Sequence, residues 1–249
     1  MKRVLILGGT GDATQLAARA MALPEVEVIT SLAGRVRQPA APAGQRRIGG
    51  FGGAEGLVDY MQEQHIDVLI DATHPFAAHI SHHAASAARA CGRPHLMLVR
   101  PAWEAVAGDH WLPVENIAAA VAVLPEVARR VFLTIGRQEL AAFAPLQDLW
   151  FLMRVIDPPG PETPVPPGTL LPERGPFTLA DERQLLKTYA IEAIVSKNSG
   201  GNATYAKLIA ARERGLPVVM IQRPPLPTGE QVADVEQAVA WLERHLRGT

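Results

Sequence analysis

The first 31 residues run in the order strand, glycine turn, helix, strand, which is typical of nucleotide-binding α/β domains. Val4 to Leu7 is a continuous apolar run that leads directly into the turn Gly8-Gly9-Thr10-Gly11-Asp12-Ala13. A helix that begins in such a turn offers unpaired N–H groups and the positive end of its dipole to a phosphate. Thr14 stands where G-x-G-x-x-G has its third glycine, so an ordinary turn without a phosphate is the alternative.

The end of the second strand indicates which dinucleotide the turn would bind. An Asp or Glu there hydrogen-bonds the ribose 2′-hydroxyl of NAD and repels the 2′-phosphate of NADP. This chain has Thr30 and Ser31 at that position, followed by Arg35 and Arg37. Hydroxyl and guanidinium groups suit a phosphate, so the sequence favours NADP.

Apolar strands and helices alternate along almost the whole chain, the pattern of parallel sheets with crossover helices. Strands are predicted near residues 3–8, 26–31, 45–49, 67–72, 95–100, 131–135, 151–156, 193–196 and 218–221. Helices are predicted near residues 12–22, 54–64, 77–91, 116–123, 137–143, 179–188, 202–213 and 232–246.

These elements form two series, which predict two Rossmann-like domains, each with a doubly wound parallel sheet. The expected boundary follows Pro101, so the domains are residues 1–101 and 102–249. Prolines between Asp157 and Pro167 exclude a helix or central strand and predict an exposed loop. A cleft between the carboxyl ends of the two sheets is the expected ligand site.

Composition favours a cytoplasmic enzyme that acts on a small molecule. Of the 249 residues 48% are hydrophobic, but no apolar run is long enough to cross a bilayer and we find no signal peptide. Cys91 is the only cysteine, which excludes an internal disulfide and a cysteine metal cluster. The formal net charge is −1, so nucleic acid is not an expected partner.

Three further motifs follow strands, where ligands of doubly wound sheets bind. In the first, Pro75 disfavours helical geometry at His74, so Thr73 to Phe76 should form an extended loop at the sheet edge. The second, Lys197-Asn198-Ser199-Gly200-Gly201, combines a lysine, an amide, a hydroxyl and paired glycines that could cradle an anion. The third places Gly136 and Arg137 after a strand.

Histidines offer two further hypotheses. His79, His82 and His83 have helical spacing but no cysteine or carboxylate beside them, so a solvated helix face is favoured over a metal site and no metal is predicted. His74 has a ring whose ordinary pKa of about 6.5 would let it donate a proton near neutrality. A structural hydrogen bond to the loop is the alternative.

The combination of G-G-T-G-D-A, D-A-T-H-P-F-A and S-K-N-S-G-G, in this order, resembles the precorrin-6A reductase family of cobalamin biosynthesis, including the cobalt-precorrin-6A reductases. The resemblance covers essentially the whole chain. It implies a two-domain Rossmann-like enzyme that uses NADPH to reduce one double bond of a tetrapyrrole carboxylate. Other enzymes of the same pathway are further expected partners.

The resemblance also implies roles for the motif residues. The diphosphate would be held by Gly9, Thr10, Gly11 and Asp12, the adenosine phosphate by Ser31 and Arg35, and the nicotinamide would lie by Thr73, His74, Pro75 and Phe76. The substrate would contact Gly136, Arg137, Lys197, Asn198, Ser199, Gly200 and Gly201. His74 and Lys197 are the candidates for proton donation and for substrate positioning.

Two other functions stay open at this point. A non-enzymatic NADP-binding redox sensor would explain the first motif but not the two polar, glycine-containing strand ends. A reductase of a smaller unsaturated acid is the other alternative, because the sequence does not measure the width of a pocket. The sequence also leaves open whether the macrocycle carries cobalt.

Overall fold

The computed structural model describes residues 1–34 and 44–247, and the chain divides into two compact units. The first unit consists of Met1–Pro101 and Pro224–Thr249, and the second of Ala102–Arg223. Each unit has a sheet of its own with helices on both faces, as an all-parallel sheet requires.

Up to Pro101 the elements follow the predicted order closely. They are β1 (Lys2–Leu7), α1 (Gly11–Met21), β2 (Val26–Leu32), β3 (Gln45–Ile48), α2 (Ala54–Glu63), β4 (Val68–Asp71), α3 (Ala78–Cys91) and β5 (His95–Leu98).

The second unit begins with a strand and continues with alternating elements. They are β6 (His110–Val114), α4 (Ile117–Val127), β7 (Arg130–Thr134), a 3₁₀ turn (Arg137–Glu139), α5 (Leu140–Phe143), β8 (Trp150–Val155), β9 (Gly168–Pro172), α6 (Leu179–Thr188), β10 (Ala193–Lys197), α7 (Ala206–Glu213) and β11 (Pro217–Ile221). The chain then returns to the first unit with β12 (Glu230–Val232) and α8 (Val235–Arg247).

The described residues form two six-stranded sheets whose strand pairs are all parallel. The orders are β12-β5-β4-β1-β2-β3 and β6-β11-β10-β7-β8-β9. In the first sheet the direction of chain progression reverses between β1 and β4, and in the second it reverses between β7 and β10. Ligands of doubly wound sheets bind at the carboxyl ends of the strands at such reversals. The predicted fold class, two Rossmann-like parallel-sheet units, is confirmed.

The apolar run of β1 is buried because helices cover both faces of its sheet. Val4 and Ile6 pack with residues of α1 and α8, whereas Leu5 and Leu7 pack with residues of α2 and α3. Successive side chains of a strand point to opposite faces, so a central strand needs apolar residues at every position.

The predicted domain boundary is wrong for the last part of the chain. Residues 102–249 were expected to form one domain, but β12 pairs with β5 and α8 contributes the buried Trp241 to the core beside α1. The return to the first unit is not apparent in the sequence, because a three-residue strand carries almost no periodic signal.

Three edge strands were not predicted, namely β6, β9 and β12. Each lies at the end of its sheet's strand order, and β6 and β9 include Pro113 and Pro172. Short, partly exposed edge strands with proline lack the apolar run that marks a central strand. The predicted proline-rich loop from Asp157 to Pro167 lies between β8 and β9 and contains no helix or strand.

In the part of the chain that the structure describes, no helix is both long and apolar enough to cross a bilayer.

A buried ionic cluster connects β8, α6 and α7 in the second unit. Lys207 and Glu182 are 4% and 1% exposed, and Arg154 Nη1 donates to Glu182 Oε1 at 2.5 Å. Burial lowers the pKa of Lys207 to about 8, Glu182 acts in the opposite direction, and Arg154 adds to the lowering. The folded protein therefore protonates Lys207 less readily than the unfolded chain does.

Replacing Lys207 with Met should remove a pH dependence of stability. Between about pH 8 and 10.5 the unfolded chain is protonated at Lys207 and the folded protein is not. The free energy of unfolding of the unmodified protein should therefore rise with pH in that window, by roughly 3 kcal/mol, and Lys207→Met should lack this rise. Urea unfolding at several pH values measures it, with exposed Lys187→Met as the control. Parallel curves for Lys207→Met and the unmodified protein would contradict the assignment.

Candidate functional site

The turn between β1 and α1 has the geometry that a phosphate site requires. Gly9 has a φ of +114°, which residues with a side chain rarely adopt, and a Cβ at Gly8 would lie 3.0 Å from Thr30 Cγ2. A Cβ added at Gly9 or Gly11 would meet no described atom within 4 Å. The N–H groups of Gly11 and Asp12 precede the first hydrogen bond within α1. The turn therefore fits a diphosphate at the start of the helix.

Thr10 joins this turn to the loop after β4. Its hydroxyl oxygen accepts a hydrogen bond from Ala13 N at 3.0 Å, which caps α1, and donates to the Ala72 carbonyl at 2.9 Å. Because β1 and β4 are neighbours at the strand-order reversal, the predicted segments Gly9–Asp12 and Thr73–Phe76 lie at one sheet edge.

Asp12 places a negative charge at the start of α1, and this charge would repel a phosphate bound there. Arg100, which follows β5, donates from Nη1 to Asp12 Oδ2 at 2.8 Å. The guanidinium group offsets the carboxylate, so the helix N-terminus keeps its preference for an anion. Arg100 is therefore a supporting residue of this turn.

The end of β2 lies beside a cation that the sequence reasoning missed. Ser31 pairs with Arg47 in the parallel register of β2 and β3, and Arg47 Nη1 lies 3.4 Å from Ser31 Oγ. Arg47 also donates to the carbonyls of Gly49 at 2.6 Å and Gly50 at 2.8 Å, and its guanidinium carbon lies 3.8 Å from the Phe51 ring centroid. These contacts fix the guanidinium plane at the end of the strand.

Arg35 and Arg37, which the sequence placed near Ser31, lie outside the described residues. Arg47 is 16 residues beyond Ser31 along the chain. The signal that could have identified it is topological: the next parallel strand after β2 must end at the same edge.

The loop from Thr73 to Phe76 is held by its own side chains. Asp71 Oδ1 accepts hydrogen bonds from Thr73 N at 3.0 Å and Thr73 Oγ1 at 2.6 Å. His74 Nδ1 accepts from Phe76 N at 3.3 Å, which in a neutral ring leaves the proton on Nε2. Asp71, Thr73, His74 and Pro75 line a shallow pocket in the first unit.

The corresponding edge of the second sheet carries the residues predicted to bind substrate. Gly136 has a φ of +92° at the turn after β7, and Arg137 Nη1 donates to the Pro158 carbonyl at 3.3 Å. Lys197, at the end of β10, forms an ion pair with Glu139. Because β7 and β10 are neighbours at the reversal, the predicted Gly136-Arg137 and Lys197–Gly201 segments lie at one edge.

Two residues that the sequence reasoning did not assign to the site hold the loop after Lys197. Asn198 Oδ1 accepts from Trp103 N at 2.8 Å, and Asn198 Nδ2 donates to the Trp103 carbonyl at 3.0 Å. Trp103 Nε1 also donates to the Gly201 carbonyl at 2.8 Å. Arg223 donates to the carbonyls of Asn198 and Ser199 at 2.8 and 3.0 Å.

Of the histidines of α3, His82 has its Nε2 3.3 Å from the Pro225 carbonyl. Among residues 1–34 and 44–247, no group of three or more His, Cys, Asp or Glu side chains could hold a metal ion.

Comparison with known proteins gives one consistent result over nearly the whole chain. Residues 3–243 match the family model described as Precorrin-6x reductase CbiJ/CobK. The chain is 53% identical over 243 residues to the precorrin-6A reductase of Rhodococcus erythropolis, covering 97% of this chain and 98% of that protein. It is 29% identical to the cobalt-precorrin-6A reductase of Priestia megaterium, covering 98% and 99% of the two chains.

A solved structure described as CobK precorrin-6A reductase is also similar. Its TM-score is 0.92 at 43% sequence identity, and the match covers 98% of this chain and 97% of that one.

Proposed function

Because the chain belongs to the precorrin-6x reductase family, we propose that it catalyses the NADPH-dependent reduction of a double bond in precorrin-6A during cobalamin biosynthesis. The family that the sequence motifs resemble is confirmed, and its members are oxidoreductases. The observation that carries the proposal is this family match over residues 3–243. The structure supports it, because the Thr10 hydroxyl in the turn between β1 and α1 donates to the Ala72 carbonyl, next to the Thr73–Phe76 loop.

The metal-free macrocycle is the proposed substrate. The relative named for precorrin-6A is 53% identical to this chain, whereas the relative named for the cobalt-containing compound is 29% identical over a similar length. Reduction would add a hydride and a proton across one double bond and give the dihydro product. The proposed cellular location of the protein is the cytoplasm, where NADPH and the other enzymes of the pathway would be available.

The family and its Rossmann-like fold indicate a nicotinamide cofactor, and the residues at the first sheet edge support NADPH. NADPH would supply the hydride. In the proposal Gly9 to Asp12 hold the diphosphate through backbone N–H groups. Ser31 and Arg47 contact the adenosine 2′-phosphate, with Arg35 as a further ligand proposed on sequence grounds. The fixed guanidinium plane of Arg47 suits a phosphate in two-point contact.

The loop from Thr73 to Phe76 would place the nicotinamide ring and limit the access of water. His74 Nε2 is the atom that could deliver the proton, since Nδ1 already accepts from Phe76 N. Arg137 and Lys197 supply cations for substrate carboxylates in the second unit. The ion pair between Lys197 and Glu139 holds the ammonium in place before substrate binds.

Incubation with precorrin-6A and NADPH should oxidise one NADPH for each macrocycle reduced. Loss of one double bond shortens or redirects the conjugated path, so the visible spectrum should change at the same rate as the absorbance of NADPH falls. Cobalt-precorrin-6A is the matched comparison and should react more slowly. Tight NADPH binding with both macrocycles unchanged would overturn the reductase proposal in favour of a redox sensor.

Arg47→Ala should weaken NADPH binding far more than NADH binding. The unmodified protein should prefer NADPH by about ten- to a thousand-fold, and the substitution should remove at least ten-fold of this preference. Dissociation constants from fluorescence titration measure it. Arg46→Ala, which changes the exposed neighbour in β3, is the control and should behave as the unmodified protein does. Equal loss of affinity for both nucleotides would contradict the assignment.

Substitutions at His74 should separate its two hypothesised roles. His74→Ala removes the acceptor for Phe76 N and should lower kcat more than it weakens NADPH binding. Asn can accept the same hydrogen bond but cannot act as the acid. If His74 only holds the loop, His74→Asn should restore kcat. If it also donates the proton, His74→Asn should stay impaired and the pH profile should lose its limb near neutrality. Unchanged kcat in His74→Ala would exclude both roles.

A further inference from the structure

The loop formed by Asn198 to Gly201 has most of its carbonyl oxygens occupied from outside the loop. Arg223 Nε and Nη2 donate to the carbonyls of Asn198 and Ser199, and Trp103 Nε1 donates to that of Gly201. All three distances are between 2.8 and 3.0 Å. Three of the four carbonyls of the loop are therefore fixed by two side chains that are distant in sequence.

The N–H groups of the same loop are used differently. Asn198 N donates to the Ile221 carbonyl and Ser199 N to the Lys197 carbonyl. Gly200 and Gly201 have φ values of +70° and +75°, and their N–H groups have no acceptor among the described residues, although Gly200 is buried. N–H groups in buried segments are nearly always paired with protein, water or a ligand, so the Gly200 N–H is available as a donor to a bound anion.

The side chain of Asn198 also holds the start of the loop in place. Its amide exchanges two hydrogen bonds with the main chain of Trp103, at 2.8 and 3.0 Å. The Trp103 ring, 9% exposed, packs beside Tyr205 at 5.9 Å and under the Lys207 ammonium at 5.1 Å. Trp103 is therefore held on several sides, and its indole N–H has a defined direction.

From this arrangement we infer that Trp103 and Arg223 are positioning residues for a substrate carboxylate. They bind the carbonyls of Asn198, Ser199 and Gly201, which would otherwise repel a carboxylate. The N–H groups of Gly200 and Gly201 are left as donors to it. The inference rests on the proposed function in one respect, because it takes the bound carboxylate to be a carboxylate of the tetrapyrrole substrate. It adds two residues, outside the S-K-N-S-G-G motif, that determine substrate affinity.

Trp103→Phe tests the inference with little change in packing. Phenylalanine keeps an aromatic ring beside Tyr205 and keeps the main-chain bonds to Asn198, but it cannot donate to the Gly201 carbonyl. The KM and the calorimetric Kd for precorrin-6A should each rise about five- to ten-fold, the effect of one hydrogen bond. The Kd for NADPH should not change. Trp150→Phe is the matched control and should leave both constants unchanged. Trp150 is the first residue of β8, so it lies at the amino ends of the strands, whereas the Asn198–Gly201 loop follows the carboxyl end of β10.

Arg223 gives an independent test. Arg223→Met removes both carbonyl contacts and should raise the KM and Kd for precorrin-6A by more than ten-fold. Arg223→Lys, which can donate to one carbonyl, should recover part of the affinity. A merely structural role would lower the melting temperature and leave the Kd for precorrin-6A unchanged, and this result in both Trp103→Phe and Arg223→Met would overturn the inference.

Binding and turnover of precorrin-6A together distinguish failure of the proposed function from failure of this inference. If the unmodified protein binds precorrin-6A but does not reduce it, the proposed function fails, and the inference stands only if the variants weaken that binding. If the unmodified protein binds no precorrin-6A in calorimetry, both fail.

Discussion

The rest of the structure depends on parallel strand pairing. Every strand pair among the described residues is parallel, so strands that follow each other in the chain need a connection that returns the chain to the starting edge of the sheet. The connections cover both sheet faces, which is why Val4 to Leu7 of β1 and Val131 to Leu133 of β7 are continuous, buried apolar runs. The same constraint brings the carboxyl ends of all strands in a sheet to one edge. The polar loops collect there, at the reversals beside β1 and β7.

Local signals account for what the sequence predicts well. The glycine turn, the capping Thr10 and the apolar β1 are contiguous, so strand, turn and helix can be recognised together. The loop after β4 was also predictable as an edge feature, because Pro75 restricts the residue before it. At these positions the local preference and the final fold agree, as expected for a foldable sequence.

The remaining features depend on contacts between distant parts of the chain. Arg47 reaches Ser31 only through the register of β2 and β3, and its own surroundings in the sequence, Arg46 and Ile48, carry no functional signal. Trp103 and Arg223 contact the loop after Lys197 across about 95 and 25 residues. The edge strands β6, β9 and β12 were missed for a related reason, since a neighbouring strand rather than their own residues determines their pairing.

The discontinuity of the first unit has a consequence for synthesis on the ribosome. The second unit is encoded without interruption and has all of its strands once Arg223 has emerged. The first unit, although its translation begins first, lacks its outer strand β12 and the Trp241 face of α8 until residues 230–247 leave the exit tunnel. During that interval the apolar groups of α1 and β5 that later pack against α8 stay uncovered. The nascent chain must therefore complete its domains in the reverse of the order in which it begins them.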